Sequence, residues 1–357
     1  MRYKTLYPLL AFMLLLNTTQ AQFSIQKAVL EVYTGSWSQY SPDGFVKLDS
    51  VLATYPDAFA IQVHSGDSMT ISEEADLVNF YAPSYPQAVI NRSGTLYSRS
   101  QWGTHTASVL SSASSVTVTF DSVTYNNNSR QLDVYLRALF TGTVSGDLRF
   151  NCVVVEDSVS GMGAGYDQAN AYNNTPGHYY YGAGNPITGL PHRYVARAYL
   201  GGTWGTAGVI PASNAFGSQA VYHYTYILPA YCTDYRVSLV GMVSRYDGNN
   251  PSDRETINAE RWPQIATAPV TGIASIYNNV YYTIYPNPAS AVVYVQQASS
   301  NRPATFELTD ITGRVLLAEY LNGSTTSIPV TGISKGMYLY NIRSHSQCVS
   351  SGKLLLE

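Results

Sequence analysis

The sequence predicts an α+β multidomain protein: a signal peptide at 1–21, an α/β domain at 22–114, a jelly-roll-like β-sandwich at 115–265, a linker at 266–281 and a small C-terminal β-sandwich at 282–357. Three observations predict it. Strand-like and helix-like stretches alternate from Gln26 to Ser112, which implies parallel pairing. After Ser115 the helical periodicity gives way to strict alternation, and from Tyr282 short strands are punctuated by PNP and TGR turns.

At the N-terminus, Arg2 and Lys4 precede the apolar run LYPLLAFMLLL, and Thr19-Gln20-Ala21 supplies small residues, so cleavage is expected after Ala21. The apolar run is too short for a membrane span, and no lipobox cysteine follows it. A net charge of −3, with 12% charged residues and no Lys/Arg run, argues against nucleic acid as a partner. Tyr is unusually common at 31, beside abundant Asn, Ser, Thr and Gly, a composition that suits an extracellular β-rich chain.

The α/β domain reads as strand Ala28–Tyr33, helix Pro42–Thr54, strand Ala58–His64, helix Ile71–Phe80, strand Gln87–Asn91, a turn at Ser93-Gly94, and a last helix in SRSQWGTHTASVLSS. It is organised around VLEVYTGSWSQYSPDG, residues 29–44. Thr34-Gly35 break the strand there and Pro42-Asp43-Gly44 open the helix, leaving Ser38 and Ser41 at the spacing of a redox pair. TGSWSQYSPDG resembles the TG-x-W-C-x-x-C-P-x-G segment of the outer membrane protein 28 family, which is thioredoxin-like. AFAIQVHSGDSM and YPQAVINR resemble that family's second strand and the proline-preceded strand that faces its active site. The resemblance implies a thioredoxin-like domain in which Ser38, Ser41 and a cis Pro86 form a degenerate redox motif. Hydroxyls form no disulfide and exchange no thiols. Val32 stands where such folds bury an acid, and the adjacent Glu31 points to the opposite face.

In the sandwich, Val116, Val118 and Phe120 alternate, as do Leu132, Val134, Leu136, Ala138 and Phe140, with YNNNSR as the hairpin between. Further strands are FNCVVVED, RYVARAYLGG, VYHYTYILP and YRVSLVGMVSR, separated by long loops such as SGMGAGYDQANAYNNTPGHYYYGAGNPITG. Three cysteines, Cys152, Cys232 and Cys348, are an odd number for an exported chain. Alternation puts Cys152 on a face with Leu148, Phe150 and Val154 and reads it as a buried thiol. Export also permits a candidate Cys152–Cys232 disulfide, and sequence spacing leaves the choice open.

The C-terminal series IYPNPAS, ELTDITGRVLL, ISKGMYLYNI and GKLLLE resembles the type A C-terminal sorting domain of type IX secretion substrates in Bacteroidota. It implies the type IX machinery as a partner, secretion across the outer membrane, and a final location at the cell surface or outside it.

Candidate chemistry is sparse. The six histidines, His64, His105, His178, His192, His223 and His345, show no ligand spacing, so no metal is expected and no cofactor is implied. RYDGNNPSDRE could place oxygen ligands from Asp247 to Glu255 around calcium, but Asp, Asn, Gly and Pro are the ordinary turn residues and a solvated acidic turn is the favoured reading. No GxSxG elbow occurs. The reading is therefore a non-enzymatic, exported protein of the outer-membrane surface with a binding or structural role toward a surface protein or glycan. The alternatives are an adhesin using the tyrosine-rich sandwich loops and a thiol-independent enzyme in the thioredoxin-like cleft.

Overall fold

The apolar run Ala28–Thr34 forms a strand (β1) buried along its whole length, and Ala58–His64 (β2) pairs with it in parallel from Ala28 opposite Ala58 to Thr34 opposite His64. Strands buried on both faces need cover on both. In this computed structural model, which describes residues 24–250, 253–267, 282–297, 304–321, 323–344 and 347–357, the next elements supply it. They are α1 (Ser41–Thr54), α2 (Glu74–Tyr81), β3 (Gln87–Ile90), β4 (Leu96–Ser98) and α3 (Trp102–Leu110). Leu30 and Val32 pack with Leu48 and Val51 of α1 and Trp102 of α3. On the opposite face Val29 and Tyr33 pack with Leu77 and Tyr81 of α2. β3 runs antiparallel to β1, and β4 antiparallel to β3. The signal peptide at 1–21, most of the linker (268–281) and His345 lie outside the described residues.

The following strands are β5 (Val116–Asn126), β6 (Gln131–Phe140), β7 (Leu148–Glu156), β8 (Val195–Tyr199), β9 (Gln219–Ile227), β10 (Val237–Arg245) and β11 (Thr256–Trp262). They do not close on themselves. β8 joins β2 in parallel at Val195 opposite Gln62, producing one eight-stranded sheet in the order β11-β10-β7-β8-β2-β1-β3-β4. A three-stranded sheet, β9-β6-β5, covers one face of β7 and β10, with Leu132, Leu136 and Phe140 against Phe150, Val154 and Leu239. The fold is thus mostly β with several sheets and, among the described residues, three α-helices. Residues 22–114 and 115–265, separated in the sequence reading, share a sheet and belong to one compact unit, Met1–Ala268. Where the sequence predicts a jelly-roll-like β-sandwich over 115–265, the structure has a sandwich whose larger sheet continues into the α/β segment. β4 and β11 carry too little periodicity to be read as strands in advance; pairing with β3 and β10 makes them so.

The second unit, Pro269–Glu357, has a three-stranded and a four-stranded sheet around Val293, Phe306, Ile328, Ile342 and Leu354. Its PNP turn clamps the last strand: Asn287 Nδ2 donates to Lys353 O at 2.9 Å, and Leu355 N donates to Asn287 Oδ1 at 2.9 Å.

Within the first unit, a buried ion pair of the α/β half is completed by hydrogen bonds from the sandwich half. Arg92 donates from Nε and Nη2 to the two Glu31 oxygens, each at 2.8 Å, and from Nη1 to Thr203 O at 2.9 Å. Tyr199 OH completes the carboxylate at 2.9 Å. Arg92 also lies against the Trp204 ring (5.4 Å), which meets Arg254 (4.9 Å) on the way to Tyr246 (3.7 Å), a ladder of alternating cations and rings. Removing one partner of such a pair strands the other charge. Arg92→Met should lower the urea-unfolding free energy of this unit by about 3–5 kcal/mol, and pairing it with Glu31→Met should recover part of that loss. An unchanged midpoint in Arg92→Met would refute the assignment.

Candidate functional site

β1 ends at Thr34, and the chain turns through Ser38 N to Gly35 O (3.0 Å) and Ser41 N to Ser38 O (3.1 Å) before α1 starts, with Pro42 in its first turn. A proline fits there because the first helical N–H groups have no intrahelical acceptor. Ser41 Oγ accepts from Thr34 Oγ1 at 2.9 Å, and Ser38 Oγ donates to Tyr85 O at 3.3 Å. The Tyr85–Pro86 peptide is cis. Pro86 packs on Gly44, where an added Cβ would lie 2.9 Å from Pro86 Cγ. Ser38, Ser41 and Pro86 therefore gather around the first turn of α1.

A strap from the sandwich half covers them. The long loop after β7 closes at its base with Val159 and His192 exchanging backbone hydrogen bonds at 2.8 Å. Along its course Ala169 N donates to Ser36 O (2.7 Å), Ala171 N to Gln39 O (2.9 Å), and Gln168 Nε2 to Ser38 O (2.9 Å). Further along, Tyr172 stacks on His178 at 4.0 Å and accepts from Arg99 Nη2 at 3.0 Å, while Arg99 Nε and His178 both approach the Asp43 carboxylate. Ser38 is left 4% exposed and Ser41 0%. The composition of this loop suggests solvation, and only the backbone pairing reveals that it seals the motif. Trp37 stays at the surface, its Nε1 fixed to Ser65 O at 2.7 Å.

Also buried there are two histidines that spacing alone did not single out. His64, at the end of β2, places Nδ1 2.7 Å from Asp67 Oδ2. The His192 ring lies edge-to-face with it at 5.2 Å and meets Tyr166 O through Nε2 at 2.8 Å. Burial pushes the Asp67 carboxyl up, but the hydrogen bond and charge of His64, with the Ser36 and Met69 N–H groups, more than offset this and lower its pKa. Burial, with His64 adding to it, takes His192 from 6.5 down to about 4. His64 and Asp67, three residues apart, were the available signal; His192 is distant in sequence and had none.

Other candidates separate from this centre. Cys152 and Cys232 are both buried and both free, so the candidate disulfide is not formed. Each is held by its own pairing, Cys152 mid-strand opposite Gly241 and Cys232 with its carbonyl accepting from Arg130 Nη2 at 2.7 Å. Burial pushes the Cys152 thiol well up and the Cys232 thiol to about 12, which makes both poor nucleophiles. Asp247 accepts from Asn249 N at 2.7 Å, an ordinary turn. Among the described residues no group of three or more His, Cys, Asp or Glu could hold a metal.

Fold and motif together define an exported, multi-sheet β-rich protein with a secretion module at its end. Residues 283–357 match the secretion system C-terminal sorting domain family. The protein is accordingly secreted across the outer membrane to the cell surface or extracellular space, and the type IX machinery is a partner. HBP35 of Porphyromonas gingivalis is similar in structure, with a TM-score of 0.51 and 13% identity, covering 93% of this chain and 98% of that one. That likeness concerns the fold alone. Red sea bream transglutaminase (TM-score 0.21, 10% identity, 72% of this chain and 33% of that one) and the BSP domain of a biofilm-associated protein (0.20, 11%, 79% and 55%) are too distant to carry an argument. A search of curated proteins found no match.

His192 makes stability depend on pH. Its folded pKa is depressed, so the unfolded chain binds the extra proton, and the stabilising contribution present above 6.5 is lost as pH falls toward about 4. The full shift corresponds to roughly 3 kcal/mol. Urea midpoints should fall between pH 7 and pH 4 in the wild type and fall measurably less in His192→Gln; parallel pH profiles would count against this origin.

Proposed function

We propose that this chain is a non-catalytic binding or structural protein of the outer-membrane surface, built on a thioredoxin-like scaffold of the outer membrane protein 28 kind that carries no redox chemistry. The observation that carries the reading is the state of the two motif positions: Ser38 and Ser41 are hydroxyls, buried under a strap that hydrogen-bonds the motif backbone. Support for the scaffold comes from the sheet order β2-β1-β3-β4, with α1 and α3 on one face, α2 on the other, and Pro86 against α1. A thiol enzyme needs an ionisable sulfur reachable by its substrate. Neither condition is met here. The wild type should leave insulin disulfides intact, whereas Ser38→Cys with Ser41→Cys should yield two thiols that pair under mild oxidant. Insulin reduction by the wild type would overturn the non-redox reading; thiols that never pair would overturn the thioredoxin-like placement.

A second reading, an adhesin for glycans or proteins, is favoured by Tyr179 and Tyr181, each 55% exposed on the strap. Tyrosines offer a flat apolar face with a polar tip. Glycan-array or surface pull-down signal from the wild type should drop at least about tenfold, a loss of roughly 1.4 kcal/mol, in Tyr179→Ser with Tyr181→Ser. Equal signal from both proteins would remove this reading.

A further inference from the structure

His64 and His192 each have one ring nitrogen committed and one idle. Asp67 is fixed as an acceptor, with Oδ2 also taking Ser36 N at 2.8 Å and Oδ1 taking Met69 N at 2.8 Å. In its neutral form the His64 ring therefore carries its proton on Nδ1 and presents a lone pair at Nε2. A carbonyl can only accept, so His192 carries its proton on Nε2 toward Tyr166 O and presents its lone pair at Nδ1. Both side chains are nearly inaccessible, at 1% and 2% exposed, and neither lone pair has a protein partner. Buried polar atoms are normally satisfied. Two more buried acceptors without protein partners are Gln62 Oε1, two residues before His64 on the same face of β2, and Gln168 Oε1 on the strap.

The two idle ring nitrogens are acceptors on rings that meet at 5.2 Å, and a cation satisfies acceptors. An imidazole whose second nitrogen donates to a carboxylate or a backbone carbonyl is the usual form of a histidine metal ligand, because that bond fixes the tautomer and aims the lone pair. We propose that His64 and His192 are a ligand pair for a borderline transition-metal cation of the Zn²⁺/Cu²⁺ class, with Asp67 and the Tyr166 carbonyl as positioning groups. Two imidazoles are fewer than a structural zinc site uses, so amide oxygen or water completes the shell and binding is weaker than at a four-residue site. One ligand belongs to β2 and the other to the base of the strap, so the ion fastens the strap over Ser38 and Ser41. This goes beyond the binding reading above and does not depend on it.

The test uses untagged full-length protein, freed of metal by chelator and then exposed to ZnCl₂ or CuCl₂ both as folded protein and during refolding, since the pair is buried. Expected are one ion retained per chain after gel filtration and an X-ray absorption spectrum with two imidazole ligands. His64→Gln and His192→Gln should each weaken binding by about tenfold or more, and Asp67→Asn by about 10–100-fold, while His105→Gln should not. Absence of a retained ion in both preparations, or affinity unchanged in both histidine variants, overturns the proposal. If the variants do not fold, the wild-type spectrum decides alone: fewer than two imidazoles on the ion overturns it.

Discussion

The constraint on which the first unit depends is the burial of Glu31 and Arg92 beneath one face of its large sheet. Two charges at 1% and 2% exposure are tolerable only if every polar atom around them is placed, and the placement draws on both halves of the chain. The carboxylate comes from β1 and the guanidinium from the exit of β3. The remaining bonds come from Tyr199 and Thr203, at and just beyond the end of β8. Arg92 even accepts a left-handed backbone, φ 50°, immediately after Asn91 at φ 46°. That conformation costs a bulky residue of order 1–3 kcal/mol and persists where surrounding contacts over-determine it. Here the guanidinium contacts do so.

The same interlocking explains why the motif at α1 is sealed. Once β8 lies beside β2, the chain that leads to it must cross the end of the sheet where α1 begins, and the loop ending at His192 does so with its backbone bonded to Ser36 and Gln39. Polar groups that would face water at an open helix start instead face Gln168 and Tyr172. The first turn of α1 is an internal joint, with Ser38 and Ser41 covered by the strap. The groups exposed around it are aromatic: Trp37, Tyr40, Tyr179 and Tyr181.

Much was determined by the sequence alone, wherever the information is local. Helix Pro42–Thr54 was legible because Pro42 and Asp43 open it and an apolar face runs through Leu48 and Val51, and the helix found is Ser41–Thr54. Strand Ala58–His64 has the expected limits, since a short apolar run between turns leaves the chain little choice. The C-terminal secretion module was legible from four short motifs in order. Tertiary structure alone decided the rest. The parallel join of Val195 to Gln62, the Glu31–Arg92 pair, the strap over Ser38 and Ser41, and the meeting of His64 with His192 each bring together residues far apart in the chain. Periodicity reports which face of an element is apolar, but not which distant element will cover it, because that is settled by the packing of whole faces and by the need to satisfy every buried charge.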